Sequence, residues 1–136
     1  MDNSQKIAQQ LHNLSALLAR ESDQILQERL GIGLSQYKIL AAVEQNPRVQ
    51  QRAIAVELGQ TEASVSRQVK LLHKKDMITS RPNPNNRREH LTALTPRGQR
   101  ITEAAHQSLA SHYRAFTGKL SPRQQEVLLS LLSELR

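Results

Sequence analysis

Two short amphipathic stretches meet at a tight turn, and a basic hairpin follows at once. That order restricts the folds open to this chain more than any other feature. The first stretch, about 51–58, carries Ile54, Val56 and Leu58 and stops at Gly59. Thr61 is a good N-cap for the second, which runs to about Lys75. Ile78 to Arg81 reads as a strand, Pro82-Asn83-Pro84-Asn85-Asn86 as a turn by composition, and Arg88 to Leu94 as the returning strand. Helix, turn, helix and hairpin in that order make a winged helix-turn-helix, whose second helix enters the DNA major groove.

Spacing within 61–75 supports this. At 100° per residue, Val65, Val69 and Leu72 fall on one side of a helix. Ala63, Arg67, Lys70 and Lys74 fall on the other, with Ser64 and Ser66 beside them. Small residues near the start of the helix permit close approach to base edges. Arginine reads guanine bidentately, and lysine serves phosphate or guanine. Thr61 and the first amides of the helix are suited to a phosphate. The hairpin adds Arg81, Arg87 and Arg88, and an arginine at such a tip suits the narrow minor groove. Lys74, Lys75 and Arg81 complete the expected phosphate contacts.

Charge is gathered in the same place. Between Arg67 and Arg100 stand nine basic residues against Asp76 and Glu89, a surplus of +7 equal to that of the whole chain. The rest is balanced. A single dense polyanion met by one face is the partner implied, and nucleic acid is the first candidate.

The flanks are helical. Residues 4–29 carry Ile7, Leu11, Leu14, Leu18 and Ile25 near helical spacing, ending near Gly31 and Gly33. Ser35 is expected to cap a helix over 35–45, broken by Asn46-Pro47. Thr95-Pro96 opens a helix to about Phe116, and Ser121-Pro122-Arg123-Gln124 is a capping box opening another, with Val127, Leu128, Leu131, Leu132 and Leu135. The expected architecture is mainly α with a small β-hairpin wing, in one domain over 1–136. The DNA-binding region spans 34–96, and 4–29 and 97–136 are dimerisation helices. The first helix is too long to bury its whole length on so small a domain, so 5–28, 98–117 and 121–135 are expected to intertwine in a homodimer. Two recognition helices would then meet half-sites about 10 base pairs apart.

With three aromatics the core must be aliphatic, and with no cysteine there is no disulfide, thiolate zinc site or thiol switch. Signal-peptide and membrane-span patterns are lacking, so the expected location is the cytoplasm. No nucleophilic cysteine, useful carboxylate pair, glycine-rich phosphate loop or metal motif supports an enzyme, and no cofactor is expected.

Leu58-Gly59-Gln60-Thr61-Glu62-Ala63-Ser64-Val65-Ser66-Arg67-Gln68-Val69 resembles the recognition-helix signature of the MarR family, the multiple-antibiotic-resistance regulators. Asn86-Arg87-Arg88, followed by Leu94-Thr95-Pro96-Arg97-Gly98, resembles that family's wing and wing exit. The resemblance covers essentially the whole chain. It implies a homodimer on a pseudo-palindromic operator in double-stranded DNA, and usually repression relieved by a small-molecule effector. The effector pocket it implies lies between the dimer helices and the winged domain, where His12, Arg20, Tyr37, His112 and Tyr113 are the candidates.

Two departures stand out. Asn86 occupies the place of the usual wing Asp, which removes a charge-assisted pair and predicts a more mobile, more positive wing. Asp76 stands where Gly commonly ends the recognition helix. Two other functions share the charge pattern: a sequence-indifferent architectural DNA binder, and a zinc-responsive regulator using some of the five histidines. The histidines form no i, i+4 pair, which argues against a metal site.

Overall fold

The computed structural model describes residues 1–136. Asp2 caps α1 (Asn3–Leu30) through a reciprocal box with Gln5, and Gly31 ends it at φ 66°. The next helix, α2 (Leu34–Gln45), has Gly33 as N-cap residue, so Ser35 lies inside the helix and does not cap it. Asp23 of α1 does that work instead: its Oδ1 accepts from the Leu34 amide at 2.8 Å. A short strand β1 (Val49–Gln50) then leads into α3 (Gln51–Leu58), which Gly59 closes at φ 65°.

Thr61 caps α4 (Glu62–Lys74), accepting from Ser64 N at 3.0 Å. Asp76 does adopt the left-handed conformation, φ 58°, that the family glycine would provide. The hairpin strands are β2 (Ile78–Asn83) and β3 (Asn86–Leu94), both longer than expected. Only Pro84 and Asn85 remain between them. Pro82 is tolerated in β2 because that strand is at the sheet edge, in the order β1-β3-β2. Each pairing is antiparallel, with Val49 opposite Thr92 and Ile78 opposite Leu94, and a bulge falls at Pro82/Asn83. Thr95 caps α5 (Pro96–Thr117), and Ser121 caps α6 (Pro122–Glu134) through a capping box with Gln124.

One aliphatic core holds this together. Ile39, Leu40, Val43, Ile54, Val65, Leu72, Ile78 and Leu109 are buried in it. Leu26 is the only core residue from α1, and α6 contributes none. The winged-helix region is therefore packed on its own, with the C-terminal part of α1 and the middle of α5 resting on it. Ile7, Leu11 and Leu14 of α1 and all the leucines of α6 stay exposed.

Candidate nucleic-acid interface

The recognition helix sorts its residues as the spacing predicts. Val65, Val69 and Leu72 are buried. Ala63, Arg67, Lys70 and Lys74 are exposed, and Ser64 and Ser66 are half-buried beside them. Gln68 turns inward and accepts from Gln36 Nε2 of α2 at 3.3 Å. The Thr61 oxygen is occupied by the cap, which leaves its hydroxyl proton free to donate. Glu62 in the first turn meets the positive end of the helix dipole.

The wing presents Arg81, Asn86, Arg87 and Arg88, all exposed. Two local bonds shape its tip. Asn83 Oδ1 accepts from the Asn85 amide at 3.0 Å, and Asn86 Oδ1 accepts from the Arg88 amide at 3.2 Å. Asn86 thus keeps the turn-forming half of an aspartate's work and loses only the charge.

No lysine or arginine is paired with a carboxylate anywhere in the chain. The only two ion pairs are His106–Glu44 at 2.8 Å and His112–Glu21 at 3.0 Å. The basic surplus is therefore not neutralised internally. Lys75 differs from its neighbours: its ammonium donates to the Gly31 carbonyl at 3.2 Å and to Gln36 Oε1 at 3.4 Å, tying the end of α4 to the end of α1. That engagement sets it apart from the cations expected to hold phosphate.

Two features were not apparent from sequence. A polar cavity of about 310 Å³ lies between the start of α3, the start of α4 and the wing, and Arg52 and Arg88 both line it. Arg52 falls outside the 67–100 block, so charge counting passed over it. Inside the same cavity Glu89 bonds Gln50 and Asn83.

The five effector candidates do not converge. Tyr37 donates to or accepts from His106 Nδ1 at 2.7 Å, and His106 in turn reaches Glu44. Burial, then the neighbouring Tyr113 and Glu44, raises the Tyr37 hydroxyl above its ordinary pKa. Tyr113 bonds Ser22 at 3.1 Å. His112 sits at ion-pair distance from Glu21 but out of hydrogen-bond alignment. An apolar cavity of about 410 Å³ between α1, α2, α5 and α6 is lined by Leu14, Leu18, Tyr113 and Phe116, with Lys38 at its edge. Tyr113 is the one candidate that lines it; His12, Arg20, Tyr37 and His112 do not. No three His, Asp or Glu side chains gather as metal ligands.

Known proteins resemble this chain in both sequence and fold. A MarR-family model matches residues 30–89, from the end of α1 through the wing. Over that segment, which holds the helix-turn-helix and most of the wing, the chain is similar to the MarR family. Among its relatives is the transcriptional regulator HosA of Escherichia coli O111:H-, 23% identical over 124 residues that cover 91% of this chain and 92% of that one. Another is a candidate transcriptional regulatory protein for the hcr operon of Thauera aromatica, 27% identical over 105 residues. That match spans 77% of this chain but only 63% of the relative's length. A cysteine-to-serine variant of Escherichia coli MarR, solved with operator DNA, superimposes with a TM-score of 0.78 at 24% identity, covering 99% of each chain. The MarR winged-helix fold, mostly helical with a three-stranded antiparallel wing sheet, is thus the fold of this protein. The relatives matched over most of this chain's length carry the names of transcriptional regulators. No helix is long and apolar enough to cross a membrane.

Proposed function

We propose that this regulator acts in the cytoplasm as a homodimer that binds a pseudo-palindromic operator and represses transcription until a small ligand releases it. The observation that carries the DNA reading is the set of cations on α4 and the wing, exposed and without a single carboxylate partner. Unpaired cations on one surface cost self-repulsion, which phosphates relieve by counterion release. Arg67 and Lys70, with Ala63, Ser64 and Ser66, approach the major groove. Arg88 and Arg87 address the minor groove, with Asn86 shaping the tip. Thr61, Lys74 and Arg81 contact phosphates; Lys75 is left out of this set because α1 holds it. The apolar cavity beside Tyr113 is the space for an effector.

Selection of fragments from random DNA at about 150 mM salt with excess competitor tests this. A palindrome with half-sites about one turn apart is expected. Binding without enrichment would favour an architectural DNA binder instead.

Arg67→Ala is expected to cost about 1–3 kcal/mol on the selected operator and to relax specificity at one base pair. Titration of operator and unrelated duplex side by side measures it. Equal losses on both would reduce Arg67 to a phosphate contact.

A further inference from the structure

Glu89 is one of only two acids in the basic block, and electrostatically it opposes DNA. A solvated acid would be indifferent to its neighbours. This one is half-buried, and a single carboxylate oxygen, Oε2, accepts from Gln50 Nε2 at 2.7 Å and from Asn83 Nδ2 at 3.2 Å. Gln50 lies in β1 and is the N-cap residue of α3, so it belongs to the packed helical body. Asn83 ends β2 at the bulge, where its other side-chain atom already holds the Asn85 amide of the tip. One oxygen of β3 therefore joins the helical body, both hairpin strands and the turn. Bonds to an ionised acceptor are about twice as strong as neutral ones.

The neighbouring residue gives this a consequence. Arg88 directly precedes Glu89 on β3 and lines the same cavity, so anchoring Glu89 fixes the stretch of backbone that carries Arg88. Arg88 is exposed and has no carboxylate of its own. Asn86, in the place of an acid, offers it none.

We propose that Glu89 is a positioning residue: it locks the wing against the helix-turn-helix, so that Arg88 and the recognition helix meet one DNA duplex together. The proposal rests on the DNA-binding function above. It makes a prediction of opposite sign to simple charge. Removing an acid from a basic face raises affinity for every DNA if charge is all that matters. Loss of the lock lowers operator affinity even though net charge has risen.

The test compares Glu89→Ala and Glu89→Gln on the most enriched selected fragment and on an unrelated duplex of the same length, with amide hydrogen exchange of residues 85–88 in the free protein. For Glu89→Ala we expect operator affinity about tenfold weaker, affinity for unrelated duplex unchanged or higher, and faster exchange at the tip. Glu89→Gln keeps an oxygen acceptor of the same reach and is expected to recover most of the operator loss. Gln50→Ala, which changes no charge, should repeat the Glu89→Ala loss and not add to it. Tighter binding of both duplexes by Glu89→Ala would overturn the proposal. So would unchanged exchange at 85–88, and that reading holds even where no fragment is enriched, an outcome that would count against sequence-specific binding and not against the lock.

Discussion

Gly98→Ala is expected to destabilise the protein by about 3–5 kcal/mol, although alanine is the better helix former. Gly98 sits in the first turn of α5, where the helix leaves the wing. A β-carbon there would lie 2.9 Å from the carbonyl carbon of Met77 and closer still to its oxygen. That carbonyl is not free to move. It accepts from the Thr95 amide at 3.1 Å, while Thr95 Oγ1 donates to the Asp76 carbonyl at 2.6 Å and caps the Gly98 amide at 2.9 Å. Thr102 adds a bond from its hydroxyl to the Gly98 carbonyl at 2.7 Å. Relief of the clash would require α5 to pull away from the Asp76–Met77 segment and break this set. The gain in helix propensity is about 1 kcal/mol, too little to offset it. Urea or thermal unfolding measures the effect, with a midpoint lower by about 10 °C or more expected. A loss under about 1 kcal/mol would mean that α5 can slide here at little cost. DNA binding should fall with stability, since this contact joins the wing to α5.

Gly98 also shows what a sequence discloses. The Leu94-Thr95-Pro96-Arg97-Gly98 pattern fixed the helix start, because caps and an N1 proline are local chemistry. Thr61, Gly59 and Ser121 were legible for the same reason, and so was the buried stripe of Val65, Val69 and Leu72. Elements made by distant partners were not. The two residues of β1 are held by Thr92, whose hydroxyl donates to the Val49 carbonyl at 2.6 Å, and nothing near Val49 signals it. Ser35 looked like a cap, but the Leu34 amide is satisfied by Asp23 from another helix. Pro82 and Asn83 read as turn residues, yet their position at a sheet edge lets them extend β2. The candidate interface followed the same division. Its exposed cations follow from helical spacing and hairpin placement. Arg52, the engagement of Lys75 and the Glu89 lock each depend on a contact across the fold.

Replacing Leu131 and Leu135 together by glutamate is expected to leave the folded chain intact and abolish the dimer. Both are exposed in the single chain, at 58% and 68%, and α6 adds nothing to the core, so folding of the monomer has little at stake. The same exposure is hard to reconcile with a monomer. Ile7, Leu11 and Leu14 on α1 and Val127, Leu128, Leu129, Leu131, Leu132 and Leu135 on and just beyond α6 are all exposed on the single chain, and large exposed apolar patches mark interaction surfaces. Burying one leucine is worth about 1.5–3 kcal/mol. Scaled by that exposure and counted twice by a two-fold interface, the four leucines amount to about 4–8 kcal/mol before the cost of burying four carboxylates. With the cost of burying four carboxylates added, this outweighs the roughly 8 kcal/mol of a micromolar dimer. Sedimentation should therefore find a dimer for the native chain at micromolar concentration and a monomer for the double variant, with similar helical circular dichroism. The variant's operator affinity should collapse toward that of a single half-site, since two recognition helices one turn apart bind together only when joined. A native chain that sediments as a monomer would remove the dimer from the proposed function, and α6 would then need another partner to cover its leucines.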